Sequence, residues 1–201
     1  MIKNIVFDLG GVLIDWNPRY LYRKIFDEKA DVEKFLEKVC TMDWNIQQDA
    51  GNSLAGATQM LVNKFPEREQ EIRAYYDRWP EMLGGDIRGT VEILRHLIDD
   101  GRYRILALTN WSAETFPLAQ KEFEFLSWFE GIVVSGAEKC IKPFPEIYQI
   151  LLERYDLQAE ETIFIDDNSD NIIGAEVLGI HGLHFTSPNK LLIELAGRNI
   201  I

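Results

Sequence analysis

The chain has little cysteine, little positive charge and no long apolar stretch, and each shortage excludes a class of protein. Its 201 residues include two cysteines, Cys40 and Cys140, which lie far apart and form no CxxC pair. A disulfide framework and a cysteine-based zinc site are therefore not expected, and a reduced, cytoplasmic location is the simplest interpretation. Lysine and arginine number 21 against 33 acidic residues, which gives a net charge of −12. This balance argues against a nucleic-acid partner and an anionic membrane surface, because both attract basic patches.

The composition is otherwise that of a globular protein, with 46% hydrophobic and 27% charged residues. No apolar run is long enough to predict a membrane span, and the short run before Asp8 does not resemble a signal peptide. A chain of this length holds one α/β domain with an insertion and buries roughly 70% of its unfolded surface. For this size we expect a monomer or a weak homodimer.

Short apolar strands alternate with amphipathic helices over most of the chain. The predicted strands cover residues 5–7, 103–108, 131–135, 161–165 and 182–185. The alternation predicts an α/β fold with a Rossmann-like parallel sheet. Residues 17–83 differ, because they show about four helices and no strand, between turn-prone joints at 15–18 and 80–86. We therefore expect a core domain of residues 1–16 and 84–201, with an all-helical cap domain of residues 17–83 inserted after the first strand.

Polar residues that could take part in catalysis follow the predicted strands. They are Asp8, Thr109, Lys142, Asp166 and Asp167. Because the loops after parallel strands open on one edge of a sheet, we expect these side chains to converge. Carboxylates that meet repel one another unless a cation neutralises them, and a hard cation with oxygen ligands is most simply Mg²⁺. Such a site suits an anionic phosphate ester, with Asp8 as the nucleophile and Lys142 stabilising charge.

The order of these residues resembles the haloacid dehalogenase (HAD) superfamily. Four segments carry the resemblance: Asp8-Leu9-Gly10-Gly11-Val12, Leu108-Thr109-Asn110, Lys142-Pro143, and Asp166-Asp167-Asn168 with Asp170-Asn171. Within the superfamily, DLGGVL, GIVVSG, IKPFPEIY and DDNSDNI most resemble phosphatases of the α-D-glucose-1-phosphate phosphatase kind. The resemblance implies a HAD-like core with a helical cap and the Mg²⁺-dependent hydrolysis of a small phosphorylated metabolite, for example a sugar phosphate.

The resemblance also implies a set of metal ligands. Asp8 attacks phosphorus to form an aspartyl phosphate, and its other oxygen binds Mg²⁺ together with the backbone carbonyl of Gly10. Asp167 is the expected third ligand, while Asp166 is either a ligand or a neighbour that supports one.

The phosphate and the rest of the substrate take a second set of residues. Thr109 and the Asn110 amide are expected to hold the phosphate, and Lys142 pairs with both Asp8 and the phosphate. The cap is expected to choose the substrate through its least regular stretch, residues 44–49. Trp44 in that stretch, and Trp111 directly after Asn110, are candidate substrate contacts.

One position departs from the family's pattern. Most phosphatases of the superfamily carry a second aspartate two residues after the nucleophile, where it protonates the leaving group, but this chain has Gly10 there. Loss of such a group typically reduces the rate by about 10²–10⁴-fold. The hypothesis is a slow enzyme, or one whose substrates have a leaving group that needs little help. Asp15 is the nearest spare carboxylate in sequence, although a hinge or capping role suits it better.

Gly10 also keeps two other functions open. A 2-haloacid dehalogenase lacks the second aspartate and needs no metal, but it typically lacks an adjacent acidic pair such as Asp166-Asp167. A non-catalytic phosphate-binding or regulatory protein of the same fold is the other alternative. The acidic pair favours the phosphatase. Dependence of the activity on Mg²⁺ would distinguish the phosphatase from the dehalogenase.

Overall fold

The computed structural model describes residues 1–201 as a five-stranded parallel sheet with helices, together with a separate two-stranded ribbon. The strands in chain order are β1 (Asn4–Phe7), β2 (Ile14–Trp16), β3 (Leu83–Asp86), β4 (Arg104–Thr109), β5 (Gly131–Val134), β6 (Thr162–Asp166) and β7 (His181–His184). The α-helices are α1 (Arg19–Tyr22), α2 (Lys29–Lys38), α3 (Met42–Asp49), α4 (Leu54–Lys64), α5 (Glu69–Asp77), α6 (Arg88–Asp100), α7 (Phe116–Glu122), α8 (Ser135–Glu138), α9 (Pro145–Arg154), α10 (Ser169–Glu176) and α11 (Pro188–Gly197). No helix has both the length and the apolar character that a membrane crossing needs.

The main sheet has the strand order β5-β4-β1-β6-β7, with every neighbouring pair parallel. The central strand β1 is buried along its whole length. Its side chains alternate, so that Ile5 and Phe7 join one hydrophobic cluster while Val6 joins another. A strand buried on both faces reads as a continuous apolar run, as residues 5–7 do. The predicted α/β fold with a parallel sheet is confirmed.

The ribbon of β2 and β3 joins the sheet to the helices α1–α5. The two strands pair antiparallel, with Ile14 opposite Asp86 and Asp15 opposite Gly85. The turn-prone joints expected at both ends of the helical segment therefore pair with each other. The segment holds five α-helices rather than about four, and β3 begins at Leu83, inside the range expected to be free of strands. The division into core and cap domains stays a prediction.

Several predicted boundaries shift by short distances. The helix expected from residue 112 to 125 is confined to α7, because the Ser112 hydroxyl accepts from the backbone N–H of Glu114 in a turn before it. Phe123, directly after α7, has extended backbone angles that end the helix. The second and fourth strands of the sheet each extend one residue further than expected, so that Thr109 and Asp166 are strand residues. The last strand is His181–His184 rather than residues 182–185.

Candidate active site

Asp8 follows the central strand at its carboxyl end, where its carboxylate is fixed on one side. Its Oδ1 lies 2.8 Å from the Lys142 ammonium and accepts a 2.7 Å hydrogen bond from the backbone N–H of Leu9. The backbone N–H of Asp8 donates to Ile165, which ties it to the neighbouring strand β6. With these contacts on Oδ1, the other oxygen is left for the cavity that Asp8 lines.

Lys142 is the buried cation of the site, with 2% of its surface exposed. Its ammonium contacts Asp8 at 2.8 Å and Asp166 at 2.7 Å, and donates to the Leu108 carbonyl at 3.1 Å. Burial alone would lower the pKa of Lys142, but the two carboxylates outweigh burial and raise it. The side chain is therefore a fixed positive charge with all three donors in use.

The acidic pair after β6 divides into one saturated and one open carboxylate. Asp166 is fully buried and accepts from Lys142, from the Asn171 amide and from the backbone N–H of Asn168. Asp167 is exposed and lines the cavity. Its carboxylate lies so close to the backbone at Gly11 that any β-carbon there would overlap it, and Gly11 also has a φ of +73°. Gly11 thus lets the chain approach Asp167.

The hydroxyl of Thr109 is buried and has no hydrogen-bond partner. Thr109 is the last residue of β4, next to β1, and it lines the same cavity as Asp8. A buried polar atom without a partner is unfavourable by about 1–3 kcal/mol, so its persistence here indicates a ligand that would satisfy it. The position suits an oxygen of a bound anion.

The side chain of Asn110 is engaged by the backbone of Lys142. Its amide donates to the Lys142 carbonyl at 3.0 Å, and its Oδ1 accepts from the backbone N–H of Lys142 at 2.9 Å. These paired hydrogen bonds fasten the Lys142 loop to the end of β4. The side chain of Asn110 therefore positions Lys142.

The carboxylates of Asp8, Asp166 and Asp167 meet at the sheet edge, as expected. One oxygen of each lies within 4.8 Å of the others. Burial, opposed by Lys142 and reinforced by Asp166, raises the pKa of Asp8 to about 7, and burial with the nearby Asp166 also raises the pKa of Asp167. Carboxylates whose protonation is favoured by repulsion and burial are a suitable oxygen donor set for a hard divalent cation.

A cavity of about 330 Å³ lies between this edge and the helical segment. Its lining of 18 residues contains no Lys, Arg or His. The helical segment and its second joint contribute Met42, Asn45, Ile46, Asp49, Tyr76 and Trp79. The helical side of the cavity is thus mainly apolar and aromatic, and its only carboxylate is Asp49.

The two candidate tryptophans lie in different surroundings. Trp111 lines the cavity, packs against Trp79 and donates from its indole to the Thr115 hydroxyl at 3.1 Å. Trp44 does not line the cavity, because its ring packs among Tyr75 and Tyr76 inside the helical segment. The structure therefore does not place Trp44 where the sequence interpretation expected it.

The expectation for Asp15 agrees with its surroundings. Its carboxylate accepts a 2.6 Å hydrogen bond from the Tyr20 hydroxyl within the β2 joint, away from the cavity lining. Asp49 lies in the stretch of residues 44–49 through which the cap is expected to choose the substrate, but the sequence does not distinguish it there. Residues 42, 45, 46 and 49 share one face of α3, and this is the face that lines the cavity.

One hydrolase class typically has this arrangement at the carboxyl edge of a parallel sheet: a candidate aspartate nucleophile, a buried lysine and an acidic pair. The haloacid dehalogenase-like hydrolase family matches residues 2–179. The chain therefore belongs to this family of hydrolases.

Three relatives describe the range of the family around this chain. It is 30% identical to the sesquiterpene phosphatase astK of Aspergillus oryzae, over 96% of this chain and 94% of that one. It is also 30% identical to the pyrophosphatase PpaX of Bacillus mycoides, over 89% and 80%. A HAD-family enzyme from Bacteroides thetaiotaomicron superposes with a TM-score of 0.71 at 25% identity, over 92% of this chain and 94% of that one. That enzyme has also been solved with magnesium and inorganic phosphate.

Proposed function

We propose that the protein is a Mg²⁺-dependent phosphatase that hydrolyses a small phosphate monoester through an aspartyl phosphate on Asp8. The observation that carries the proposal is the Asp8 carboxylate, which Lys142 contacts and which lines the same cavity as the unpartnered hydroxyl of Thr109. Relatives named as phosphatases and a magnesium–phosphate complex of a relative support it.

The metal ligands follow from which carboxylates are open. Asp8, the backbone carbonyl of Gly10 and Asp167 would hold Mg²⁺, whereas Asp166 keeps its oxygens for Lys142 and Asn171. When bound, Mg²⁺ supplies positive charge for the phosphoryl oxygens. We assign Asp166 to positioning Lys142 rather than to direct ligation.

The proposed reaction has two steps, and the side chains at the sheet edge act in both. One carboxylate oxygen of Asp8 attacks phosphorus, and the bond to the leaving oxygen breaks. Thr109 donates to a phosphoryl oxygen, and Lys142 stabilises the charge on Asp8 and on the phosphoryl group. Water then attacks the aspartyl phosphate, releasing inorganic phosphate and restoring Asp8.

We propose that the helical segment, residues 17–83, is a cap that selects the substrate. Its side of the cavity offers aromatic and apolar surface and no positive charge. A second phosphate or a carboxylate on the substrate would be buried there without a partner, which is unfavourable by several kcal/mol. The substrate is therefore a monoester whose remainder carries no further negative charge, which fits a sugar or an isoprenoid monophosphate better than pyrophosphate.

The test is a screen of purified protein with Mg²⁺ across sugar phosphates, isoprenoid monophosphates, phosphoglycolate and pyrophosphate. We expect turnover of the uncharged monoesters, its loss with a chelator, and a decrease of at least about 10³-fold for Asp8→Asn. Turnover that survives Asp8→Asn contradicts the nucleophile assignment. Metal-independent release of halide from 2-haloacids supports the dehalogenase alternative, and phosphate binding without turnover supports a non-catalytic protein.

Two further proposals concern the setting of the protein. We propose a cytoplasmic location, supported by two cysteines that are both free thiols, Cys40 and Cys140. We also propose a monomer or weak homodimer without a nucleic-acid partner, supported by the net charge of −12.

A further inference from the structure

Gly10 lies at the cavity, and the space beside it is open. A β-carbon built at Gly10 meets no atom within 4 Å, and its φ is not in the left-handed region. The position at which related phosphatases carry their proton donor is therefore vacant rather than occupied by another side chain. Hydrolysis of an ester with a poor leaving group needs a proton donor from elsewhere in the chain.

Four titratable side chains line the cavity: Asp8, Asp49, Tyr76 and Asp167. Asp8 and Asp167 belong to the cluster at the sheet edge. Tyr76 donates its hydroxyl to Asn45, and burial raises its pKa above the ordinary value for tyrosine. Asp49 is the remaining carboxyl group, and it comes from the helical segment opposite the sheet edge.

Asp49 is oriented by its own helix and is fastened to the core through its backbone. The Asn45 amide donates to Oδ2 at 3.2 Å, and the backbone of Ser112 lies near enough to the carboxyl group to favour its charged form. The Ser135 hydroxyl donates to the Asp49 carbonyl at 2.6 Å. Ser112 and Ser135 follow β4 and β5, so the carboxyl group lies beside the loop that begins at Thr109.

The surroundings of Asp49 favour a proton that can be exchanged. Burial raises the pKa of Asp49 from 3.8 to about 7, and only the nearby Ser112 backbone opposes this. No ion pair forms at Asp49. The titratable groups on the elements around it are Tyr75 and Tyr76 on α5, Glu114 after β4, Lys139 against Gly51, and Asp8 and Asp167 across the cavity.

We propose that Asp49 is the general acid and base of the phosphatase reaction, in place of the aspartate that Gly10 lacks. Protonated Asp49 gives its proton to the leaving oxygen while the bond from phosphorus to that oxygen breaks and the bond from Asp8 to phosphorus forms. The Asp49 carboxylate then takes a proton from the water that attacks the aspartyl phosphate, which restores both groups. The proposal rests on the function proposed above.

The experiment compares two substrates with the same phosphate. p-Nitrophenyl phosphate has a leaving group that departs without a proton, whereas 2-phenylethyl phosphate releases an alkoxide that needs one. For Asp49→Asn we expect kcat/KM for 2-phenylethyl phosphate to fall by about 10²–10³-fold and kcat/KM for p-nitrophenyl phosphate to change by less than about fivefold. Rapid mixing with p-nitrophenyl phosphate should show a burst of p-nitrophenol, because water attack on the aspartyl phosphate lacks its base.

Two further variants complete the design. Asp43→Asn alters an exposed carboxylate at the start of the same helix and should leave both kcat/KM values unchanged. Gly10→Asp in the Asp49→Asn background places a carboxyl group in the open space. It should raise kcat/KM for 2-phenylethyl phosphate at least about tenfold over that of Asp49→Asn alone. Asp49→Ala repeats the comparison without an amide at that position.

Equal losses on the two substrates, with no burst, would show that Asp49 only positions the cap. An unchanged rate on 2-phenylethyl phosphate would overturn the proposal outright. Failure of the function itself looks different, because the wild-type protein would then hydrolyse neither substrate or would be insensitive to Asp8→Asn.

Discussion

The sheet edge and the helical face line the same cavity, but charged groups are mostly paired at the sheet edge and unpaired on the helical face. At the sheet edge, Lys142 pairs with Asp8 and Asp166, while Asp167 beside them is open to the cavity. On the helical face, Asp49 is the only carboxyl group, and it forms no ion pair. The first arrangement holds charges fixed for an anion and a cation, whereas the second favours the protonated form of one carboxyl group. A phosphatase needs both kinds of environment, because phosphoryl transfer and proton transfer set different demands.

The largest effect is expected from removing the cation that holds the sheet edge together. Lys142→Met leaves Asp8 and Asp166 buried without their partner, and we expect the free energy of unfolding to fall by about 3–5 kcal/mol in the absence of metal. Urea unfolding monitored by circular dichroism measures this. Lys139→Gln, three residues earlier and exposed, should change stability by less than about 0.5 kcal/mol. Similar stabilities for the two variants would contradict a structural function for the ion pairs.

Two adjacent glycines test how closely the backbone approaches the open carboxylate. A methyl group at Gly11 would overlap Asp167 and strain a φ of +73°, whereas one at Gly10 meets open space. We expect Gly11→Ala to lower stability by about 1–2 kcal/mol and to weaken Mg²⁺ binding, while Gly10→Ala leaves both nearly unchanged. Calorimetric titration with Mg²⁺ measures the affinity. Equal Mg²⁺ affinities for the two variants would place the ion away from Asp167.

The isolated carboxyl group on the helical face predicts a pH-dependent stability. Because the pKa of Asp49 is raised from 3.8 to about 7 in the folded state, the folded protein binds the proton more tightly between these values. This contribution to stability is present at low pH and is lost as pH rises through about 7. Asparagine cannot ionise, so Asp49→Asn should gain about 1–2 kcal/mol over the wild type between pH 5 and about pH 8; the figure is modest because the side chain is partly exposed to the cavity.

Thermal unfolding at the two pH values measures this difference, and Asp43→Asn serves as the exposed control from the same helix. A difference between wild type and Asp49→Asn that is the same at both pH values would mean that Asp49 is ionised throughout.

The smallest effect separates the two tryptophans that the sequence suggested as substrate contacts. Trp111→Phe changes the cavity wall, so we expect KM to rise by about two- to tenfold with little change in kcat. Trp44→Phe alters packing against Tyr75 and Tyr76 and removes a hydrogen bond to Ala57, so stability should fall by about 1 kcal/mol while KM is unchanged. A change of KM in the Trp44 variant would show that the cap contacts the substrate more widely.

The residues of the sheet edge were predictable because parallel topology brings the ends of neighbouring strands together. Asp8, Thr109, Lys142 and the acidic pair each follow a strand that the apolar pattern reveals, so their meeting required no knowledge of packing. Which member of the pair Asp166-Asp167 holds Lys142 and which is open to the cavity was not predictable. Whether Asp166 or Asp167 faces the cavity depends on the hydrogen bonds that Asp166 accepts from Asn171, five residues later, and from Lys142, which lies 24 residues earlier in the chain.

The helical face was harder to predict for a physical reason. The sequence of α3, MDWNIQQD, mixes apolar and polar residues on all sides, so helical periodicity does not indicate which face is buried. Its tertiary contacts decide the matter, with Trp44 turned into the helical segment and Asp49 turned to the cavity.

The amino-acid sequence by itself determined the parallel sheet, the helical segment after the first strand and the set of residues at the sheet edge, because each depends on local patterns and on a short list of allowed topologies. Only the tertiary structure decided which oxygen each side chain offers to the cavity, that Asn110 holds Lys142, and that Asp49 lines the same cavity as Gly10. Those features depend on contacts between residues far apart in sequence, and such contacts exist only once the helices have packed against the sheet.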